Sequence, residues 1–303
     1  MERNLLTLTN NIRQGRITQG IGGLYYIDTG DNIYACRPKG LFRIQDIEPV
    51  IGDFVDIEIS DSLTKDGMTE GVIKEIHPRE NQLLRPKVSN VTQSVLVFSA
   101  TNPPINLDLL DRLIVLSEEQ GLNIIIVLNK AEDDLPPHIQ DIVQTYENIG
   151  YTVIVTSAKS GQGVAELKAH LSNHVSVFSG SSGVGKSSLV NVIHPTASMD
   201  VGEISQKGKR GKHTTRFSKL IKLGNDATAG FVVDSPGFSS LFFNFGKEEL
   251  ASYFKEFTPF MNQCRFGDCN HLQEPGCNIK EQIGNNISQA RYERYVNLYK
   301  ELV

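Results

Sequence analysis

What the 303-residue chain lacks narrows its possible functions. No apolar run reaches the roughly 20 residues that a membrane-spanning helix needs. The opening stretch MERNLLTLTNNIRQG has no basic start, apolar core or small-residue cleavage site, so no secretory leader is expected and a cytoplasmic location is. Positive charge is not in excess. Thirty Lys and Arg stand against 35 Asp and Glu, which excludes a protein that coats nucleic acid by bulk charge. Cysteine is scarce, four in all, and Cys264, Cys269 and Cys277 lie close together while Cys36 stands apart. In a reducing compartment that clustering points to a metal site rather than to disulfides. There is no internal repeat and no low-complexity tract. What remains is an ordinary globular composition, long enough for two or three domains.

From Gly15 to His77, short β-like runs alternate with Gly and Asp turns, and no amphipathic helix interrupts them. That spacing predicts a small closed or sandwiched β unit. The polar stretch HPRENQLLRPKVSN, from His77 to Asn90, reads as a linker. From Val91 apolar strands alternate with helices, the pattern of a parallel sheet covered on both faces. FSKLIKL and TAGFVVDSPG follow as two further strands, and KEELASYFKEF reads as a short helix. In the closing helix Tyr292, Tyr295, Val296 and Tyr299 share one face, a stripe expected to pack in a core. The expected units are 1–80, 81–243 and 244–303.

The chemistry concentrates in loops at strand ends. FSGSSGVGKSSLVNVI joins a strand to a helix and contains G-x-x-x-x-G-K-[ST]. Gly180, Ser181, Ser182, Gly183, Val184, Gly185, Lys186, Ser187 and Ser188 would cradle phosphates with backbone N–H groups at the helix start. Lys186 would neutralise the β- and γ-phosphates, and the Ser187 hydroxyl would ligate Mg²⁺. Downstream, a strand ends in Asp234-Ser235-Pro236-Gly237. Asp234 would hold the Mg²⁺ through water, and the Gly237 N–H would approach the γ-phosphate. Between them, Ile204 to Asn225 carries seven Lys or Arg and no acidic residue, a switch-like loop in which Thr214 or Thr215 would reach the metal.

No base-selecting motif follows the phosphate loop; it lies upstream. A buried strand ends in Asn129-Lys130-Ala131-Glu132, close to the N-K-x-D that reads guanine through a paired carboxylate contact. The next strand ends in Ser157-Ala158-Lys159, a second guanine-side loop. Position 132 departs from the pattern by being Glu, with Asp133 after it, so the loop must absorb one extra methylene. Base motifs first and phosphate loop second is a circular permutation of the usual GTPase order. Such rewiring is feasible where the joined ends lie close together. Near the C-terminus Cys264, Cys269, His271 and Cys277 form C-x₄-C-x-H-x₅-C, a set suited to one structural Zn²⁺.

Taken together, GSSGVGKS, GKHTTR, DSPG and CRFGDCNHLQEPGC after a β unit resemble the RsgA family of ribosome-small-subunit-dependent GTPases, over nearly the whole chain. The resemblance implies an N-terminal OB-fold barrel, a circularly permuted α/β P-loop GTPase domain and a C-terminal helical zinc-binding domain. It implies GTP/GDP, Mg²⁺ and Zn²⁺ as cofactors. It also implies slow GTP hydrolysis, stimulated by the small ribosomal subunit late in that subunit's maturation. A monomer that contacts rRNA and no membrane is expected. Phe238 stands where many GTPases carry a water-orienting Gln, so His213, at the family's motif His, is the candidate to orient water.

Residues 1–80 hold nine Lys and Arg against thirteen Asp and Glu, so RNA affinity there would rest on placed residues such as Arg37, Lys39 and Arg43. Two other readings stay open: a GTP-dependent RNA- or protein-binding module with incidental hydrolysis, and a P-loop phosphotransferase using ATP. The Asn129–Glu132 and Ser157–Lys159 loops oppose the second.

Overall fold

The computed structural model describes residues 11–44, 47–132, 134–195, 219–224, 228–234 and 243–302. Alternation of buried and exposed residues first builds five strands: β1 (Ile12–Ile21), β2 (Leu24–Asp28), β3 (Ile33–Pro38), β4 (Phe54–Leu63) and β5 (Thr69–Ile76). They run in the order β1-β2-β3-β5-β4, and β4 pairs back onto β1, closing a barrel of OB type as expected. Its interior is Ile17, Ile27, Cys36, Val55, Ile57 and Ile73, all fully buried. A one-turn helix, α1 (Gly40–Ile44), sits between β3 and β4 and was not foreseen; Phe42 turns from it into the barrel core.

The stretch read as a linker is folded. It forms a two-residue hairpin, β6 (Gln82–Leu83) with β7 (Val88–Ser89). A fully buried carboxylate organises it. Asp53 accepts bonds from Arg79 Nε (2.7 Å) and Nη2 (2.8 Å), Ser89 Oγ (2.6 Å) and the Val50 N–H (2.7 Å). A buried charge is tolerated only when so fully satisfied. Its donors come from the barrel and from the joining segment, so Asp53 fastens one to the other.

The apolar runs then form β8 (Gln93–Ser99), β9 (Asn123–Asn129), β10 (Thr152–Val155) and β11 (Val175–Ser179). They alternate with α2 (Leu107–Glu119), α3 (Pro137–Ile149) and α4 (Val164–Leu171), and α5 (Lys186–Ile193) follows. A hairpin, β12 (Lys219–Lys222) and β13 (Phe231–Asp234), completes the sheet. The order is β10-β9-β8-β11-β13-β12, with every neighbour parallel except β12.

Successive residues of β8 face opposite layers: Leu96 and Phe98 pack with α2 and α3, Val95 and Val97 with α4 and α5. The chain steps outward through β9 and β10, then returns beyond β8 to β11. The reversal opens a crevice at the carboxyl ends of β8 and β11, where open α/β sheets bind ligands. At its other end the sheet continues into the barrel, for Gln19 of β1 pairs with Lys219 of β12.

The C-terminal residues form 3₁₀ turns at Lys247–Tyr253, Lys255–Phe257 and Met261–Gln263, then α6 (Asn278–Glu281) and α7 (Gln289–Glu301). KEELASYFKEF is thus two 3₁₀ turns broken at Phe254 rather than one helix. The break lets both Phe254 and Phe257 meet the Tyr295 ring, at 5.1 and 5.0 Å. The tyrosine stripe is core, as its spacing predicts: Tyr295 is buried, with Tyr292, Val296 and Tyr299 packed around it.

This unit seats on α2 and α3. Arg291, completely buried, forms a bidentate pair with Glu256 (2.7 and 3.1 Å) and contacts Asp111 of α2 (2.5 Å). Asp111 also accepts from Tyr146 of α3 (2.5 Å) and from Arg294. The paired carboxylates hold the Arg291 pKa well above its ordinary value against the opposing effect of burial.

Candidate nucleotide site and metal centre

Two glycines let the phosphate loop form. Gly180, at φ +137°, lies so close to β8 that a Cβ would fall 1.9 Å from the Val97 carbonyl oxygen. Gly185, at φ +93°, would place a Cβ 2.4 Å from Asn129 Nδ2. Any side chain at either position would separate the loop from its neighbours. Gly185 caps α5, whose first residue is Lys186. The Lys186 ammonium curls over its own loop, donating to the carbonyls of Gly180 (2.9 Å) and Ser181 (2.7 Å). Burial pushes its pKa down, so an incoming phosphate would relieve a desolvated cation. Val184 is buried in the sheet core, anchoring a loop whose Ser182 and Gly183 are exposed.

The base-side residues converge on that loop. Asn129, buried at the end of β9, donates from Nδ2 to the Val184 carbonyl (2.8 Å). Its Oδ1 accepts from the Ala158 N–H (3.1 Å) and Thr156 Oγ1 (3.2 Å). One side chain therefore joins three loops from distant parts of the sequence. Ser157 Oγ donates to Glu132 Oε1 (3.0 Å), so the longer carboxylate is held on one oxygen, and the other has no hydrogen-bond partner among the described residues. Lys130 adopts φ +66° and donates to the Asn102 carbonyl (2.7 Å), while Lys159 is exposed. Thr156 and the Asn102 carbonyl were not singled out from sequence; nothing in their local pattern marks them.

Ser187 and Ser188 lie half-buried in the first turn of α5. Asp234 is exposed at the end of β13, which runs parallel beside β11, so it emerges on the same side of the sheet as the phosphate loop. Ser187 at the start of α5 and Asp234 at the end of β13 would offer Mg²⁺ a hydroxyl and a carboxylate, few protein oxygens for an ion that retains waters. His213, Thr214, Thr215, Gly237 and Phe238 lie outside the described residues, as does most of the basic stretch. Of its described members, Lys222 is engaged by Asp28 at 2.9 Å. Arg37 is exposed on β3 and Lys39 is half-buried; the side chain of Arg43 is not described.

The four proposed metal ligands come together. The ligand atoms of Cys264, Cys269, His271 and Cys277 all lie within 4.8 Å of one another. His271 Nδ1 is 3.6 Å from Cys264 Sγ and 3.5 Å from Cys277 Sγ. Tetrahedral zinc with ordinary Zn–S and Zn–N bonds separates such atoms by about 3.6 Å. The donor set therefore fits zinc, with Nδ1 as the imidazole ligand and no fifth position. His271 holds φ +61°, and its carbonyl accepts from Tyr292 OH (2.7 Å). Glu274 steadies the same turn by accepting from the N–H groups of Asn270, Leu272 and Gln273. These supports come from folding and carry no sequence signature of their own.

Comparison with known proteins agrees with the permuted arrangement. A family model described as RsgA GTPase matches residues 76–244, and one described as RsgA N-terminal domain matches residues 14–69. The chain is 42% identical over 291 residues to a small ribosomal subunit biogenesis GTPase RsgA of Alkaliphilus metalliredigens, covering 95% of this chain and 97% of that one. It is 40% identical to the protein of the same description from Caldanaerobacter subterraneus, covering 95% of each. Among solved structures, YjeQ from Thermotoga maritima superposes with a TM-score of 0.79 at 35% identity, covering 96% of this chain and 98% of that one. A second, described as YloQ, a circularly permuted GTPase, gives 0.80 at 35% identity, covering 99% and 97%. The chain belongs to the RsgA family of circularly permuted GTPases.

Proposed function

We propose that this GTPase acts in the late maturation of the small ribosomal subunit, hydrolysing GTP to GDP and phosphate when the subunit engages it. The observation that carries the nucleotide half of this reading is the Asn129 junction, which joins base-side and phosphate-side loops into one site. The working units are 1–80, 81–243 and 244–303, acting together as a cytoplasmic monomer. No helix among the described residues is long and apolar enough to cross a membrane.

In this mechanism Glu132, braced by Ser157, accepts hydrogen bonds from the guanine edge while the Lys130 stem covers the base. The loop from Gly180 to Ser188 wraps the phosphates, and Lys186 exchanges its two carbonyl acceptors for phosphate oxygens. Ser187, Asp234 and Thr214 or Thr215 would hold Mg²⁺, which when bound offsets charge on the phosphate oxygens. His213 orients the attacking water, the role that Phe238 cannot fill, and Gly237 approaches the γ-phosphate. Cys264, Cys269, His271 and Cys277 hold a structural zinc. The barrel and the basic stretch through Lys222 contact rRNA, with Arg37, Lys39 and Arg43 as candidate contacts.

Phe238 also favours a second reading, a GTP-dependent binding module whose hydrolysis is incidental. The partner is tested by co-sedimentation of the protein with purified small and large subunits in a non-hydrolysable GTP analogue. Pelleting with small subunits alone is expected. Recovery with neither, or equally with both, would overturn the assignment.

A further inference from the structure

The β12–β13 hairpin occupies an unusual position. Its two strands adjoin the proposed switches, since the basic stretch leads into β12 and β13 ends at Asp234. It is also the part of the nucleotide domain to which the barrel is hydrogen-bonded. Gln19 of β1 stands opposite Lys219 of β12, and Lys219 stands opposite Asp234 of β13. One row of the sheet thus leads from the barrel to the proposed Mg²⁺ ligand.

The far end of the hairpin is gripped as well. Lys222 pairs with Asp28 of β2 at 2.9 Å, and Lys222 and Phe231 stand opposite each other. The Arg16 guanidinium of β1 lies between two rings, 4.1 Å from the centroid of Phe54 on the barrel and 5.4 Å from that of Phe231 on the hairpin. Beneath, Ile51 packs against the cluster containing Leu220 and Val233, and also against the barrel core.

The Arg16 contact is incompletely satisfied. Its Nη1 is buried without a hydrogen-bond partner among the described residues, and burial lowers its pKa to about 10. An interface built only for permanence would supply that acceptor, because an unpaired buried donor is costly. Here the unpaired Nη1 lowers the cost of opening, while two rings and the charges of Glu80 and Asp28 still hold the cation in place.

We propose that the Arg16–Asp28–Phe54 corner of the barrel couples occupancy of the barrel to the position of Asp234, by shifting the β12–β13 hairpin on which it is clamped. The coupling rests on the small subunit being the partner, as read above. Arg16 and Asp28 are positioning residues: they touch neither nucleotide nor metal and act through the hairpin. By reciprocity, a bound nucleotide that sets the hairpin must change the affinity of the protein for the subunit by the same factor.

The test uses full-length wild type, Arg16→Ala and Asp28→Asn. Each is titrated with purified small subunits, once with GDP and once with a non-hydrolysable GTP analogue. Wild type is expected to prefer one nucleotide state by about tenfold or more, within the usual range of such coupling. In both variants the ratio is expected to fall to within about twofold while turnover without subunits is unchanged. Asp28→Asn, at the barrel rim, guards against misfolding in Arg16→Ala. A wild-type ratio that persists in both folded variants would overturn the coupling and leave the partner assignment standing. Wild type that fails to bind subunits would overturn both.

Discussion

Asn129 Nδ2 donates to the Val184 carbonyl across 2.8 Å, so a residue at the end of β9 holds the phosphate loop 55 positions later in the chain. The same side chain accepts from Ala158 and Thr156, and it is 1% exposed. Asn129→Ala should therefore orphan several buried groups at once. Losing such bonds costs about 1–3 kcal/mol apiece, so GDP affinity should fall by roughly tenfold to a hundredfold. Titration with a fluorescent GDP analogue, on protein shown to be folded by its melting curve, checks this. Affinity within twofold of wild type would show that the two loops assemble without it.

Glu132 presents a different case, because its reach is one methylene longer than the motif prescribes and Ser157 takes up one oxygen. If the other oxygen reads the guanine edge, the protein should prefer GDP over inosine diphosphate, which lacks the 2-amino group. Glu132→Ala should remove most of that preference, a loss of about 1.5–3 kcal/mol for a hydrogen bond to a charged group. Ser157→Ala should weaken it partially. Competition titrations with the two nucleotides decide the matter; a preference unchanged in Glu132→Ala would assign base reading elsewhere.

Zinc should be stoichiometric, one per chain by elemental analysis. Cys277→Ser is expected to lose the metal and to lower the melting temperature by several degrees, since a small module with little core depends on its ligand. The ligands stand on the C-terminal segment and none belongs to the nucleotide loops, so GDP affinity should change by less than about threefold. Full metal retention in Cys277→Ser would break the proposed ligand set.

The buried Arg291 joins Glu256 of its own segment to Asp111 of α2, and so ties that segment to the nucleotide domain. Glu256→Gln leaves Arg291 with Asp111, which is already shared with Tyr146 and Arg294. Removing one member of a buried pair costs about 3–5 kcal/mol. Urea unfolding should register a loss of that order at unchanged cooperativity. A loss below about 1 kcal/mol would mean that the aromatic packing of Phe254, Phe257 and Tyr295 suffices.

The barrel, the parallel sheet and the metal quartet were legible because each imposes a pattern on adjacent residues. Alternation reveals β4, continuous apolar runs reveal β8 and β9, and ligand spacing reveals Cys264 to Cys277. The permuted order was legible as well, since Asn129 and Gly180 each sit at a strand end. What escaped depends on contacts between distant residues. Nothing near Arg79 marks it as the partner of Asp53, so the segment after His77 looked like a linker. Nothing in KEELASYFKEF marks Phe254 as a break; that follows from Tyr295, 41 positions on. The clamp of Arg16 on Phe231 is hidden for the same reason, its partners being separated by most of the chain.

The most direct test of the account is steady-state GTP hydrolysis by the purified protein with small subunits, with large subunits or with neither. A low basal rate that rises at least tenfold with small subunits alone, and no turnover of ATP, is the predicted result. Equal rates in all three conditions would contradict it.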